Sequence, residues 1–248
     1  MLSVTDLTVM RGLCPVVERL SVSVAPGAIV ALIGPNGAGK STALKGILGL
    51  LPSTGAVEVD GRQVADLTPR ARAGLLGYVP QRSALLAAMS ARNVVAQGRF
   101  AHQGLLARLS PADATAIDEA LRAVDALPLA ERPFPQLSLG EQQRILLARA
   151  LASGARTILL DEPTAALDVG HALDLLTLLR AQAAAGRALL VVLHDLDQVA
   201  RLADQVLLLD HGRTVVRGPP DEVLQAHHLG PSFGVEPVVA GAMGFRRP

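Results

Sequence analysis

The sequence has little cysteine, little lysine and little net charge, and each shortage excludes a class of protein. A single cysteine, Cys14, permits neither an intrachain disulfide nor a cysteine-rich metal site, which fits a reducing compartment. Lysine occurs only at Lys40 and Lys45, so arginine supplies most of the 23 basic side chains. Because 22 acidic residues nearly balance them and the net charge is +1, no strong electric field argues for a nucleic-acid partner.

Long apolar runs are missing as well. No run approaches the roughly 18 residues of a membrane-spanning helix; residues 28–33, 188–193 and 206–209 have only the length of strands. Residues 1–9 alternate without a basic start, so no signal peptide is expected. The 248 residues, 50% hydrophobic and 18% charged, predict one globular domain with an inserted subdomain, which reaches a membrane only through a partner.

One glycine-rich segment fits the phosphate-binding pattern Gly-x-x-x-x-Gly-Lys-Ser/Thr, the P-loop. The apolar residues 28–33 before it predict a buried strand, and residues 40–50 after it predict a helix that Pro52 stops. Strand, turn and helix N-terminus together bind phosphate, because backbone N–H groups and the helix dipole face the anion. The segment consists of Gly34, Pro35, Asn36, Gly37, Ala38, Gly39, Lys40, Ser41 and Thr42.

Four residues of this segment have defined roles in such a site. Gly34 and Gly39 let the backbone approach the phosphates without a Cβ in the way. The Lys40 ammonium can reach the β- and γ-phosphates of a nucleotide, and the Ser41 hydroxyl can ligate Mg²⁺. The alternative is a glycine-rich turn that merely links strand to helix, but a chance match that also uses one of only two lysines is rare.

A second apolar strand ends in two carboxylates. Residues 157–160 are followed directly by Asp161 and Glu162. In a P-loop protein such an aspartate lies beside the Mg²⁺ shell, so Asp161 is predicted to hold the ion through a coordinated water. Glu162 is predicted to polarise the attacking water as a general base. The alternative, a solvated acidic turn, is disfavoured by the P-loop upstream.

Three further candidate sites are weak signals by themselves and become functional candidates because of their order along the chain relative to the P-loop. Ser138 and Gly140 open a predicted helix, whose N-terminus suits phosphate, although serine is also a common N-cap. His194 follows the strand of residues 189–193 and could hydrogen-bond a γ-phosphate and hold the attacking water, with a capping role as the alternative. Gln81 could ligate Mg²⁺ through its side-chain carbonyl, although most loop glutamines are merely solvated.

The order of predicted elements indicates an α/β protein with a parallel core. Residues 56–59 alternate into the turn pair Asp60-Gly61, which predicts a hairpin in an N-terminal β region. Residues 114–126 predict a helix with Ser110 as its N-cap. The predicted parts are a nucleotide-binding α/β core at residues 1–84 and 156–218, a helical subdomain at residues 85–155 and a C-terminal appendage at residues 219–248.

Taken in order, the motifs resemble those of the nucleotide-binding subunits of ABC transporters over nearly the whole chain. P-loop, Q-loop, signature, acidic strand, D-loop and switch histidine occur at residues 34–42, 81, 137–142, 159–162, 166–168 and 194. The resemblance implies a P-loop NTPase core with an N-terminal antiparallel β subdomain and an inserted helical subdomain. It also implies a homodimer that sandwiches two ATP molecules with Mg²⁺, each between one P-loop and the partner's signature.

The same resemblance assigns roles to residues and names partners. It assigns Ser138, Gly140 and Glu141 to the ATP of the partner subunit, and Asp168 to the contact between subunits. It brings the region of Gln81 onto a membrane-embedded permease, which an external substrate-binding protein would serve. A peripheral location at the cytoplasmic face of the inner membrane follows, and no nucleic acid is expected.

Two positions depart from the family pattern. The signature usually reads Leu-Ser-Gly-Gly, but Leu139 takes the third place here, and its Cβ restricts the backbone. A working site with slower closure is expected. The family commonly stacks adenine on an aromatic residue in the N-terminal region, where this chain has Arg11-Gly12. Either the Arg11 guanidinium stacks on the base instead, or adenine is held loosely and base selectivity is poor.

Three short segments narrow the family further. Residues 89–102, 167–171 and 192–197 are similar to the ATPases of bacterial importers for ferric siderophores, haem and cobalamin. The alternatives are an importer ATPase for metal ions, an exporter ATPase, and a soluble ABC ATPase acting on nucleic acid or the ribosome. Ordinary surface histidines, rather than metal sensors, are expected at His102, His227 and His228.

Overall fold

The computed structural model describes residues 1–81, 89–101 and 109–234, together with the backbone of residues 236–240 and 242–246. An antiparallel sheet opens the chain, and a second, mostly parallel sheet forms its centre, so the α/β prediction is confirmed. The strands are β1 (Leu2–Arg11), β2 (Cys14–Val24), β3 (Ile29–Ile33), β4 (Ser53–Val59), β5 (Arg62–Gln63), β6 (Leu76–Val79), β7 (Thr157–Asp161), β8 (Ala188–Val192), β9 (Gln205–Asp210), β10 (Arg213–Gly218), β11 (Glu236–Ala240) and β12 (Ala242–Arg246).

The central sheet has the strand order β10-β9-β3-β8-β7-β6. Its described pairs are parallel except β9 with β10. Every residue of β3, β7 and β8 is buried, as expected for parallel strands covered on both faces. Because these strands share one direction, their carboxyl ends meet at one edge, where parallel α/β sheets bind ligands. At that edge the P-loop follows β3, and His194 comes shortly after β8. The acidic pair lies there as well, with Asp161 as the last residue of β7 and Glu162 directly after it.

The antiparallel sheet has the order β2-β1-β4-β5 and supports the first helix. The predicted hairpin turn at Asp60-Gly61 joins β4 to β5, and both residues adopt positive φ. Apolar side chains of β1, β2 and β4 pack against helix α1 (Lys40–Ile47) in one buried cluster. This helix ends earlier than the predicted Leu50, because Gly49 takes a left-handed φ of 63° that terminates it.

Helices cover the central sheet and form the inserted segment. Within that segment the helices α3 (Ala91–Ala96), α4 (Pro111–Arg122) and α5 (Leu139–Ala152) pack against one another. Ser110 caps α4 as expected, so the helix begins at Pro111 and ends at Arg122, shifted from the predicted residues 114–126. The remaining helices are α2 (Pro69–Leu75), α6 (Val169–Ala184), α7 (Leu196–Leu202), α8 (Pro220–Val223) and α9 (Ala226–Phe233).

The segment after Pro219 is more than a loose tail. Val223 in α8 and Leu229 in α9 are fully or almost fully buried and belong to the core of the central sheet. The chain then forms a two-stranded hairpin of β11 and β12. Among the described residues, no helix is both long and apolar enough to cross a membrane.

Candidate functional site

The P-loop joins β3 to α1 through a backbone shape that requires glycine. Gly34 has a φ of 150°, and a Cβ there would lie 2.0 Å from the carbonyl oxygen of Leu209 in β9. Gly39 has a φ of 98° and directly precedes α1, where a Cβ would lie 3.0 Å from the carbonyl oxygen of Val16. The strand, turn and helix predicted around the phosphate pattern are therefore present.

Lys40 is buried at the first position of α1, with 5% of its surface exposed. Its Nζ donates hydrogen bonds of 2.8 and 2.9 Å to the carbonyl oxygens of Gly34 and Pro35. Burial lowers the pKa of this ammonium, and the nearby carboxylates of Glu162 and Asp161 oppose the shift. A cation that has lost much of its water is prepared to bind a phosphate, which would compensate its charge.

Asp161 ends β7 and faces the first turn of α1. Its Oδ1 accepts a hydrogen bond of 2.8 Å from the Ser41 hydroxyl, and its Oδ2 accepts one of 3.4 Å from the Tyr78 hydroxyl. Burial raises the pKa of the Asp161 carboxyl, while the bond from Ser41 opposes the shift. Burial and the charge of Asp161 also raise the pKa of Tyr78 to about 12, so this phenol is a donor at neutral pH.

Glu162 lies between two other predicted residues. Its Oε2 accepts a hydrogen bond of 2.6 Å from Nε2 of Gln81, and its Oε1 is hydrogen-bonded to Nε2 of His194. The Glu162 backbone has a φ of 49°, which is uncommon for a residue with a Cβ, and its N–H donates to the carbonyl oxygen of Val192 at 3.2 Å. Residues held in such conformations collect at functional sites.

A cavity of about 220 Å³ opens beside these groups. Arg11, at the end of β1, borders this cavity. Its position there is consistent with the predicted stacking on a base. Ala38 of the P-loop is buried beneath, and its carbonyl oxygen accepts a hydrogen bond of 3.1 Å from the N–H of Gly212. The lining residues are Arg11, Val16, Asn36, Gly37, Gly39, Lys40, Ser41, Thr42 and Glu162.

The signature residues lie at the N-terminus of α5, outside the lining of this cavity. The Oγ of Ser138 accepts a hydrogen bond of 3.3 Å from the N–H of Glu141, whose Oε2 accepts one of 2.8 Å from the N–H of Ser138. This reciprocal capping box fixes the start of the helix and lowers the pKa of Glu141. Leu139 is 56% exposed. A phosphate role for Ser138, Gly140 and Glu141 needs a second subunit and stays a prediction.

The D-loop aspartate and the signature are linked within one chain. Asp168 caps α6 by accepting a hydrogen bond of 2.9 Å from the N–H of His171, and its Oδ2 lies 2.7 Å from Nδ1 of the same residue. The hydrogen bond from the His171 backbone lowers the pKa of Asp168. The imidazole then lies beside the signature, because a Cβ added to Gly140 would come within 3.0 Å of Cδ2 of His171.

Sequence reasoning does not identify two residues of the site, Tyr78 and Gln143. Tyr78 contacts Asp161 as described, and Gln143 in α5 donates a hydrogen bond of 3.1 Å from Nε2 to the carbonyl oxygen of Gln81. Neither residue belongs to a spacing pattern with its partner. The only signal available is that both are polar residues next to a recognised motif.

The histidines outside the site form no described metal centre. His227 and His228 stack with ring centroids 3.9 Å apart, and His102 lies outside the described residues. Within residues 1–81, 89–101 and 109–234, no group of three or more histidine, cysteine, aspartate or glutamate side chains is arranged to hold a metal ion.

Known proteins are similar to this chain in both sequence and fold. The family model described as ABC transporter matches residues 17–165. A hemin import ATP-binding protein of Rhodococcus jostii (strain RHA1) is 41% identical over 242 residues, which cover 95% of this chain and 82% of that protein.

Two solved structures extend the comparison. An inward-facing transporter assigned to the metal-chelate type superposes with a TM-score of 0.83 at 30% identity, over 99% of this chain and 95% of that one. A dimeric ABC transporter cassette superposes with a TM-score of 0.76 at 28% identity, over 89% and 99% of the two chains. With its P-loop, acidic strand and histidine meeting at one sheet edge, the chain belongs to the ATP-binding subunits of ABC transporters, which are ATPases coupled to transport.

Proposed function

We propose that this chain is the ATPase subunit that powers the import of haem or a related iron chelate through a membrane permease. The main evidence for this cargo is the 41% identity, over 95% of the chain, with a hemin import ATP-binding protein. The superposition on a transporter of the metal-chelate type supports the same class of cargo.

The hydrolytic step is assigned to the residues around Glu162. Its carboxylate acts as the general base that takes a proton from the attacking water, since base catalysis by a positioned side chain accelerates such steps strongly. His194 and Gln81 each bond one of its oxygens and hold the carboxylate in place. Lys40, with the backbone N–H groups of the P-loop, neutralises the charge of the γ-phosphate.

Ser41 and Asp161 are the proposed holders of Mg²⁺. A hydroxyl and a carboxylate oxygen 2.8 Å apart offer the hard oxygen donors that this ion prefers, and the amide oxygen of Gln81 is of the same kind. The raised pKa of Asp161 indicates a buried carboxyl whose ionised form needs a positive partner. When bound, the ion supplies positive charge to the phosphate oxygens.

Two copies of the chain are proposed to close over two ATP molecules. The signature of one chain lies outside the lining of its own cavity, which supports a role for Ser138, Gly140 and Glu141 at the ATP of a partner. ATP then stabilises the closed dimer and hydrolysis releases it, which gives the permease a two-state switch. The assembly is proposed to lie at the cytoplasmic face of the inner membrane, with an external substrate-binding protein delivering the cargo and no nucleic acid involved.

Uptake by cells tests the proposal. A strain lacking the gene is supplied separately with labelled haem, ferric siderophore and cobalamin, and is complemented with wild type or with Glu162→Gln. We expect loss of haem or iron-chelate uptake that only wild type restores. Loss of cobalamin uptake alone would show that the cargo is cobalamin instead of haem or an iron chelate. Normal uptake of all three compounds would overturn the proposed import function.

A further inference from the structure

The signature helix is tied to the Q-loop by a buried glutamine. Gln143 belongs to α5, a continuous helix that begins directly after Ser138, and 7% of its surface is exposed. Its Nε2 donates a hydrogen bond of 3.1 Å to the backbone carbonyl oxygen of Gln81, 62 positions earlier in the chain. One end of this contact therefore belongs to the signature helix, and the other to the Q-loop.

Gln81 passes this contact on to the carboxylate at the centre of the site. While its carbonyl oxygen is held by Gln143, its side-chain amide donates a hydrogen bond of 2.6 Å to Oε2 of Glu162. His194 occupies the other oxygen of Glu162. A continuous path of hydrogen bonds thus runs from α5 through a single residue of the Q-loop to the proposed general base.

The other polar atom of Gln143 shows that packing alone does not explain this side chain. Its Oε1 is buried and has no hydrogen-bond partner among the described residues. A buried acceptor without a partner destabilises a fold, and an apolar side chain of the same length would avoid that cost. Within the described residues, the contact that accounts for a glutamine at this position is therefore the hydrogen bond from its amide to Gln81.

We propose that Gln143 is a positioning residue for ATP hydrolysis, which couples the position of the signature helix to the placement of Glu162 through Gln81. When α5 moves, the carbonyl oxygen of Gln81 moves with it, and the side chain that orients Glu162 follows. Hydrolysis then depends on where a chain's own signature helix lies. This inference rests on the hydrolytic roles proposed above.

The test uses the purified full-length chain and four measurements: kcat, KM for ATP, the Kd of a fluorescent ATP analogue, and Tm. Gln143→Met keeps the length of the side chain and removes the donor. We expect kcat to fall about tenfold, with the Kd within about twofold of wild type. Because removal of the buried Oε1 offsets the loss of the hydrogen bond to Gln81, we expect Tm to stay close to that of wild type. Gln143→Asn, which is too short to span the contact, is expected to reproduce the loss in kcat.

A matched control and a double variant separate positioning from packing. Gln182 in α6 is also buried and donates to a backbone carbonyl oxygen, that of Ala123, at 3.3 Å. Gln182→Met is expected to leave kcat within about twofold of wild type. In a Gln81→Ala background, Gln143→Met should cause no further loss, because the path is already broken.

The inference would be overturned by an unchanged kcat in Gln143→Met, by an equal loss in Gln182→Met, or by the same fold loss of kcat in the Gln81→Ala background as in wild type. A weaker Kd that accounts for the whole defect would also contradict it. The assay contains no cargo and no permease, so a failed uptake experiment leaves its outcome unaffected.

Discussion

The hydroxyl of Ser41 donates a 2.8 Å hydrogen bond to Oδ1 of Asp161, and this contact joins the P-loop helix to the end of β7 across 120 positions of sequence. Both oxygens belong to the proposed Mg²⁺ site, and Asp161 has 6% of its surface exposed. The carboxyl group is therefore buried, and it lies close to the acidic side chain of Glu162. Its properties in the absence of nucleotide yield the first prediction.

Asp161→Asn is expected to raise the stability of the nucleotide-free protein at neutral pH. Burial raises the pKa of Asp161 in the folded state above its unfolded value of about 3.9. The folded state then holds the proton more tightly, so this group's contribution to stability is fully present below the unfolded pKa and is lost as the pH rises through the folded pKa. Asparagine removes this dependence and keeps an oxygen that can accept from Ser41.

Thermal unfolding in Mg²⁺-free buffer measures the effect. The Tm of Asp161→Asn minus that of wild type should be more positive at pH 8 than at pH 4. Each 1 kcal/mol by which the charge of Asp161 lowers the free energy of unfolding corresponds to a difference of about 2–4 °C. A difference that is constant with pH, or that grows on acidification, would show that Asp161 is not destabilised by its charge.

Glu162→Gln is expected to bind ATP, to hydrolyse it about 100-fold or more slowly, and to accumulate as a dimer. The substitution removes the base but keeps side-chain atoms that can still contact Gln81 and His194. Light scattering coupled to size exclusion, with ATP and Mg²⁺, measures the dimer, and phosphate release measures turnover. A monomeric and fully active variant would contradict the role assigned to Glu162.

The sequence predicts the edge of the sheet better than it predicts the contacts across it. Asp161, Glu162 and His194 could be brought together in advance, because each follows a buried strand and parallel strands end at the same edge. The contacts of Gln143 with Gln81 and of Tyr78 with Asp161 could not, because they join residues 62 and 83 positions apart without any periodic pattern.

The sequence also does not predict the exact end of the helix after the P-loop or the burial of residues beyond Pro219. The helix after the P-loop stops at Ile47 because of the conformation of Gly49, a property of the backbone that composition does not reveal. The burial of Val223 and Leu229 depends on the central sheet lying beneath them, so the stretch resembles an appendage until the fold is known.

Leu139→Gly is expected to leave kcat within about twofold of wild type and to lower Tm by a few degrees. Leu139 is 56% exposed at the first position of α5, so it contributes little packing, whereas glycine in a helix costs up to about 1 kcal/mol. Turnover and thermal unfolding measure the two effects. A large loss of turnover would mean that the signature backbone is built around leucine.

Arg11→Ala is expected to raise the KM for ATP about tenfold and to reduce the preference for ATP over GTP. Arg11 borders the cavity next to the P-loop, where its guanidinium can stack on adenine; stacking of a base on an aromatic side chain contributes roughly 1–3 kcal/mol, and the expected effect is taken at the lower end of that range. Steady-state turnover of the two nucleotides measures both effects, with Arg62→Ala, an exposed arginine of β5, as a control. Unchanged ATP affinity would remove Arg11 from the site.

The contact between Gly140 and His171 gives the last prediction, because it can be broken and restored. A Cβ on Gly140 would lie 3.0 Å from Cδ2 of His171, which is tighter than most real Cβ contacts, so Gly140→Ala requires the signature or the imidazole to shift by a few tenths of an ångström. We expect Gly140→Ala to lower kcat about tenfold, and the double variant with His171→Ala to recover part of it, since Cδ2 and Cγ of residue 171 are then removed while its Cβ, 3.2 Å from the added methyl group, remains.

The single variant His171→Ala is the reference for that cycle. It loses the bond between Nδ1 and Asp168, but the backbone N–H that caps α6 remains. If the methyl group of Gly140→Ala instead obstructs the nucleotide of the partner subunit, removing the imidazole restores no turnover, and the fold losses of the two single variants multiply. Recovery of turnover in the double variant therefore separates a clash within one chain from a clash across the dimer.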